Sequence, residues 1–154
     1  MIRIHAAASP DYDVLTDIWE AAVRATHDFL TDDDIAYFRP LVREQYLPQA
    51  ELVLAEDETG VFGFMGLVPP DPEKGLPAGV SMLFIRPDRQ GKGAGKALLH
   101  FAGVKYGPLI VDVNEQNPGA RAFYEKCGFS LIGRSETDGE GKPFPLLHLF
   151  RGKL

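Results

Sequence analysis

The chain has 154 residues, 45% of them apolar and 25% charged, with a formal net charge of −6. This length supports one domain around a single core. The acidic balance argues against nucleic acid as a partner, because phosphates would be repelled. No run of about 18 apolar residues occurs, so no membrane span is expected. The opening segment MIRIHAAASPDYD lacks an apolar signal core, and a cytoplasmic address follows as the default. Cys127 is the only cysteine, which excludes an intramolecular disulfide and a cysteine-based metal cluster. His5, His27, His100 and His148 show no ligand spacing, so no metal is expected.

Met1 to Ala6 predicts a short strand. Ser9, Pro10 and Asp11 read as an N-cap, a first-turn proline and a dipole-compatible acid. Leu15, Ile18, Trp19, Ala22 and Val23 then recur at helical spacing to about Thr26. Thr31 and three aspartates start a second helix carrying Ile35, Phe38 and Val42, which Pro40 should break or kink. Leu52 to Ala55 and Val61 to Leu67 flank Asp57-Glu58-Thr59-Gly60 and predict a β-hairpin. A proline-rich loop leads to a strand over Val80 to Ile85, and a helix follows from Ala94 to about Lys105. Leu109 to Asn114 is a strand. Asn117 caps another helix with Pro118 at its first position and Gly128 at its close. Phe129 to Arg134 and Leu146 to Phe150 are the last strands. The order β-α-α-β-β-β-α-β-α-β-β, without repeat or linker, describes one mixed α/β domain over residues 1–154.

The segment MLFIRPDRQGKGAGKA joins a strand to a helix through Gly91, Gly93 and Gly95, with Lys92 and Lys96 among them. Together with Arg86 and Arg89 it forms a positive island on an acidic chain, suited to one small anion. It fails as a P-loop, since Gln90 stands at the first glycine position and Ala97 at the magnesium-binding hydroxyl. It also fails as a dinucleotide fingerprint, which would need glycine at Lys96 or Leu98. What remains is Gln90-x-x-Gly93-x-Gly95 opening a helix, whose free amides and dipole favour an anion and whose glycines admit a pyrophosphate close to the backbone. The same glycines would also serve a plain tight turn.

This loop resembles the arginine/glutamine-x-x-glycine-x-glycine/alanine signature of the GNAT superfamily of acyl-CoA-dependent N-acyltransferases. NEQNPGARAFYEKCGF is similar to that family's helix with a capping Asn, a Tyr seven residues later and a closing Gly-Phe. ATHDFL, VNEQN and GRSETDGEGKPFPLLHL resemble its bacterial YjaB-type branch. The resemblance implies an α/β GNAT fold: a mixed, mostly antiparallel sheet of about seven strands with one splayed pair, flanked by about four helices. It implies acetyl-CoA as acyl donor, without metal. The pantetheine arm would pair with backbone of Met82, Leu83 and Phe84, and Gln90, Gly91, Lys92, Gly93, Ala94, Gly95 and Lys96 would hold the pyrophosphate. Asn117 and Tyr124 would sit beside the thioester.

On this resemblance the protein moves an acetyl group to a primary amine by direct attack, without a covalent enzyme intermediate. Tyr124 takes the family's general-acid position, although the apolar Ala120, Phe123 and Cys127 around it fit a core-edge tyrosine as well. Asp112 interrupts the apolar run LIVDV, where an unpaired buried carboxylate would be costly, and strand alternation places it on one face with Asn114. It is either the base that takes the amine proton or a structural Asp bonded to nearby amides. Glu115 and His27 are reserve bases. Trp19, His27 and Phe29 would line the acceptor site, for a small-molecule amine or a peptide or protein amine. A catalytically silent acetyl-CoA or CoA sensor of the same fold is the alternative, and a magnesium-ATP domain is a more distant one. Monomer and homodimer both remain open.

Overall fold

The computed structural model describes Met1–Leu154. Seven strands form one sheet in the order β1-β2-β3-β4-β5-β7-β6. They span Arg3–Ala6 (β1), Glu51–Asp57 (β2), Gly60–Val68 (β3), Ala78–Ile85 (β4), Leu109–Asn114 (β5), Ser130–Ser135 (β6) and Leu146–Arg151 (β7). Only β4 and β5 run parallel. The helices are α1 (Tyr12–Thr26), α2 (Asp32–Leu41), a single turn α3 (Leu47–Gln49), α4 (Ala94–Tyr106) and α5 (Pro118–Lys126). The fold class expected above is the one observed, and so is the element order apart from the single turn α3 before β2. No helix is long and apolar enough to cross a membrane.

The helices cover the sheet unevenly. On one face α4 and α5 pack Leu98, Leu99, Ala102 and Tyr124 against Met65, Val111, Val113, Leu147 and Leu149. On the other, α1 and α2 pack Leu15, Ile18, Trp19 and Ile35 against Leu52, Leu54 and Phe64 of β2 and β3. That second layer stops at β4. Beyond it, the face formed by β5, β7 and β6 carries no helix, and Phe150 there is exposed.

Three local expectations change. Ser9 is not the capping side chain: a 3₁₀ turn spans Ser9–Asp11, and the Ala8 N–H donates to Asp11 Oδ2 at 2.9 Å. Pro40 does not break its helix. It sits near the end of α2, and the chain continues through a π-helical turn over Val42–Tyr46 into α3. A proline supplies no N–H to the preceding turn, and widening the next turn absorbs the misfit within a continuous helical path. The first strand begins at Arg3 rather than Met1. By contrast, the Thr31 capping box forms in full, with Thr31 Oγ1 accepting from Asp34 N–H and Asp34 Oδ2 from Thr31 N–H.

Candidate active site

β4 and β5 pair only from Ala78–Leu109 to Val80–Val111, and the rest of β4 leaves its neighbour. Into this opening comes a cleft of about 970 Å³ that reaches both faces of the sheet. Arg86 N–H donates to Phe62 O at 2.8 Å, and Phe84 and Met82 stand opposite Phe64 and Gly66. In an antiparallel ladder the pairs alternate. Met82 and Phe84 therefore spend their backbone groups on β3, while those of Leu83 and Ile85 point into the cleft. This corrects the expectation that all of Met82, Leu83 and Phe84 offer backbone there. Gln90 Nε2 occupies the Ile85 carbonyl at 3.1 Å, so the Leu83 N–H and C=O remain open to a bound chain.

The glycine loop lies at one end of the cleft. Gly91 and Gly93 have φ of +76° and +86°, and a Cβ at either would meet nothing within 4 Å, so backbone conformation alone selects glycine there. Ala97 N–H is the first in α4 to find an intrahelical acceptor, Gly93 O at 3.0 Å. The amides of Ala94, Gly95 and Lys96 are left for a ligand. Gly95 has another reason as well: a Cβ there would stand 2.9 Å from Phe123 Cζ, so glycine lets α4 and α5 approach. The positive island shrinks. Arg86 pairs with Asp88, and Arg89 pairs with Asp57 and stacks 4.2 Å over Phe62, which leaves Lys92 and Lys96 as the loop's cations without an acidic partner.

Further in, Tyr124 is 6% exposed, with its ring edge-on to Phe123 and Phe129. Its hydroxyl has no protein hydrogen bond, and the residue lines the cleft. Burial, with a smaller push from Cys127, raises the phenol well above its ordinary range and keeps it protonated at neutral pH. Asn117 caps α5 as expected, its Oδ1 accepting from Ala120 N–H at 3.1 Å. Its Nδ2 reaches His27 Nε2 at 3.4 Å. His27 Nδ1 lies 2.8 Å from Thr26 Oγ1, whose own hydroxyl donates to Ala22 O. The chain of donors and acceptors places the His27 proton on Nδ1. Burial lowers its pKa, against a weaker opposing pull from Asp28. His27 is thus a neutral ring with its lone pair facing an amide, a link between α1 and α5 rather than a free base.

Val111 and Val113 join the core beneath α4, while Asp112 and Asn114 lie on the opposite face. Asp112 is exposed and lines the cleft, so the expected cost of burying it does not arise, and its Oδ1 is 2.5 Å from His148 Nδ1. Glu115 is held in ion pair by Arg134, with Oε2 2.6 Å from Nε, and that partner lowers its pKa. As a reserve base it is removed.

The wall of the cleft where the acceptor was expected contains Trp19, Thr26, His27, Phe38, Val42 and Tyr46. Phe29 stands behind it instead, stacked between His27 and Phe144 at 5.3 and 5.6 Å. The loop between β6 and β7 closes this side, contributing Asp138, Glu140 and Phe144, and Tyr46 Oη donates to Glu140 Oε1 at 2.6 Å. That closure was not legible in the sequence, because it joins residues 94 positions apart. His148 was missed although it interrupts the apolar run LLHLF as Asp112 interrupts LIVDV.

A parallel strand pair that parts over a cleft, with unpaired helix amides at its mouth, is the architecture of an acyl-CoA-dependent acyltransferase. Residues 48–131 match the acetyltransferase (GNAT) domain family, and the chain belongs to that family. It is 41% identical over 150 residues to the peptidyl-lysine N-acetyltransferase YjaB of Salmonella typhimurium, covering 97% of each chain. It is 40% identical to YjaB of Escherichia coli, covering 97% of this chain and 96% of the relative. The solution structure of apo YjaB from Escherichia coli superposes with a TM-score of 0.87 at 38% identity, over 100% of this chain and 99% of that one. The PaiA N-acetyltransferase of Thermoplasma acidophilum, in complex with coenzyme A, shares the fold with a TM-score of 0.76 at 20% identity, over 99% of each chain. The protein is an acetyl-CoA-dependent N-acetyltransferase.

Proposed function

We propose that the acceptor is a lysine side chain of a peptide or protein. The observation that carries this reading is the two-sided cleft. The α4 face offers helix amides and lysines to an anionic donor, and the opposite face offers Asp112, whose Oδ2 has no protein partner, to a cationic acceptor. The uncovered half of that face leaves room for a macromolecule to approach. The names of the YjaB relatives, peptidyl-lysine N-acetyltransferases, favour the same acceptor class.

The residues present fit coenzyme A. Leu83 offers a free backbone N–H and C=O to an amide-bearing arm, and the amides from Gly91 to Lys96, with the Lys92 and Lys96 ammonium groups, suit its diphosphate. When bound, acetyl-CoA supplies the activated acyl carbon. Asp112 accepts one of the two protons that leave the acceptor ammonium. Tyr124, on the other face and protonated at neutral pH, delivers its hydroxyl proton to the departing sulfur. Asn117 fixes the start of α5 and so the height of Tyr124 in the cleft. Acid and base act from opposite sides of the sheet, with both substrates aligned between them.

Thiol release from acetyl-CoA, measured with lysine-containing peptides and with a panel of small amines, tests the reading. Faster release with peptides, with acetyl found on the lysine ε-nitrogen by mass spectrometry, is expected. Preference for a small amine would overturn the acceptor class. Tight CoA binding without release on any acceptor would support the silent sensor instead.

A further inference from the structure

Asp112 and His148 stand directly opposite each other on β5 and β7. His148 is held at both ring nitrogens: Nδ1 lies 2.5 Å from Asp112 Oδ1, and Nε2 lies 2.7 Å from Ser135 Oγ on β6. With the carboxylate ionised, Nδ1 donates to Asp112 and Nε2 accepts from the serine hydroxyl, which selects one neutral tautomer. Asp112 lines the cleft, and its Oδ2 has no protein partner. Stability gives little reason for this arrangement. The Asp112 and His148 side chains are 56% and 31% exposed, no helix covers them, and a pair this open to water adds little to folding.

We propose that His148 is a positioning residue for the proton transfer from the acceptor amine. Its Nδ1–H turns Asp112 so that Oδ2 faces the incoming nitrogen, and Ser135 locks the imidazole in the tautomer that can do so. The inference rests on the acetyl-transfer reading above. Two protons leave the acceptor ammonium as its nitrogen bonds to the acetyl carbon and the carbon–sulfur bond breaks. One passes through Asp112 Oδ2 to solvent, and the other restores Tyr124 after its phenol has protonated the sulfur. Charged groups on β6 and on the loop between β6 and β7 are already engaged. Glu136 pairs with Arg134, Asp138 accepts from amides of its own loop, Glu140 accepts from Tyr46, and Lys142 lies over Tyr37.

Nitrogen-15 NMR of the His148 ring tests the pair without requiring turnover. The neutral ring should carry its proton on Nδ1, and a neutral ring protonated on Nε2 overturns the proposal. In the peptide assay, His148→Ala should lower kcat by about tenfold or more, with the KM for acetyl-CoA changed by less than about twofold. His148→Asn, whose side-chain amide replaces the Nδ1–H, should recover most of kcat. Wild-type kcat in His148→Ala would sink the idea. A wild-type protein releasing no thiol would refute acetyl transfer instead, while the ring spectrum would still judge the pair.

Discussion

Tyr124 combines a buried ring with a hydroxyl that the protein leaves unused. Removing that oxygen costs no internal hydrogen bond, so Tyr124→Phe should fold normally and bind acetyl-CoA as before. Its kcat should drop by about 10²–10⁴-fold, the usual size of a lost proton donor, as steady-state kinetics would show. The glycines separate by cause. A Gly95 variant would disturb Phe123 and confound binding with packing, whereas a side chain at Gly91 points into open space. Gly91→Asp bears left-handed backbone strain of about 1–2 kcal/mol but no clash, so it should keep its circular dichroism spectrum yet lose CoA affinity by about tenfold or more, because it sets a carboxylate near the amides proposed for phosphate. Calorimetric titration with CoA would detect this.

At the level of elements, the loop that presents these glycines is moored by the β2–β3 turn. Asp57 accepts from both the N–H and the hydroxyl of Thr59, at 2.9 and 2.7 Å, and pairs with Arg89, whose Nη1 also donates to Thr59 Oγ1. The Arg89 guanidinium holds the Asp57 carboxyl well below the ordinary range, with the Thr59 bonds adding to the effect. A depressed carboxyl pKa stabilises the fold fully above the unfolded-state value and ceases to do so as pH falls through the folded-state one. Thermal melts of Asp57→Asn should therefore lie below wild type at neutral pH, with the gap closing in acid. CoA affinity should weaken too, since Arg89 directly precedes Gln90.

Elements governed by local chemistry were readable in advance. β5 falls on Leu109–Asn114, and Asn117, Pro118 and Gly128 bound α5 as expected, because caps and alternation act within a few residues. The glycine loop and the free amides that open α4 were readable for the same reason. Contacts across the sheet were not: the Arg89–Asp57 pair joins residues 32 apart, and the Asp112–His148 pair residues 36 apart. The fate of Pro40 depended on whether a neighbouring turn could widen, which its own sequence position does not reveal.

For the whole molecule, ligand and stability are coupled. Acetyl-CoA at about 100 times its dissociation constant should stabilise the native state by about 2.7 kcal/mol and raise the melting temperature accordingly. A calorimetric scan that does not move with ligand would contradict the cleft as its site. Amide exchange should resolve where the protection falls, slowing at Leu83 and over Gly91 to Lys96 while the β2–β3 hairpin stays unchanged.

The early parting of β4 from β5 has a consequence for how the sheet is finished. Leu83 presents an exposed strand edge in the middle of the molecule, where a continuous sheet would have none. Such edges invite any extended chain to add itself. On the binding mode proposed above, the amide-bearing arm of the donor fills this gap. The donor substrate would then serve as a removable rung, each turnover completing the ladder and breaking it again.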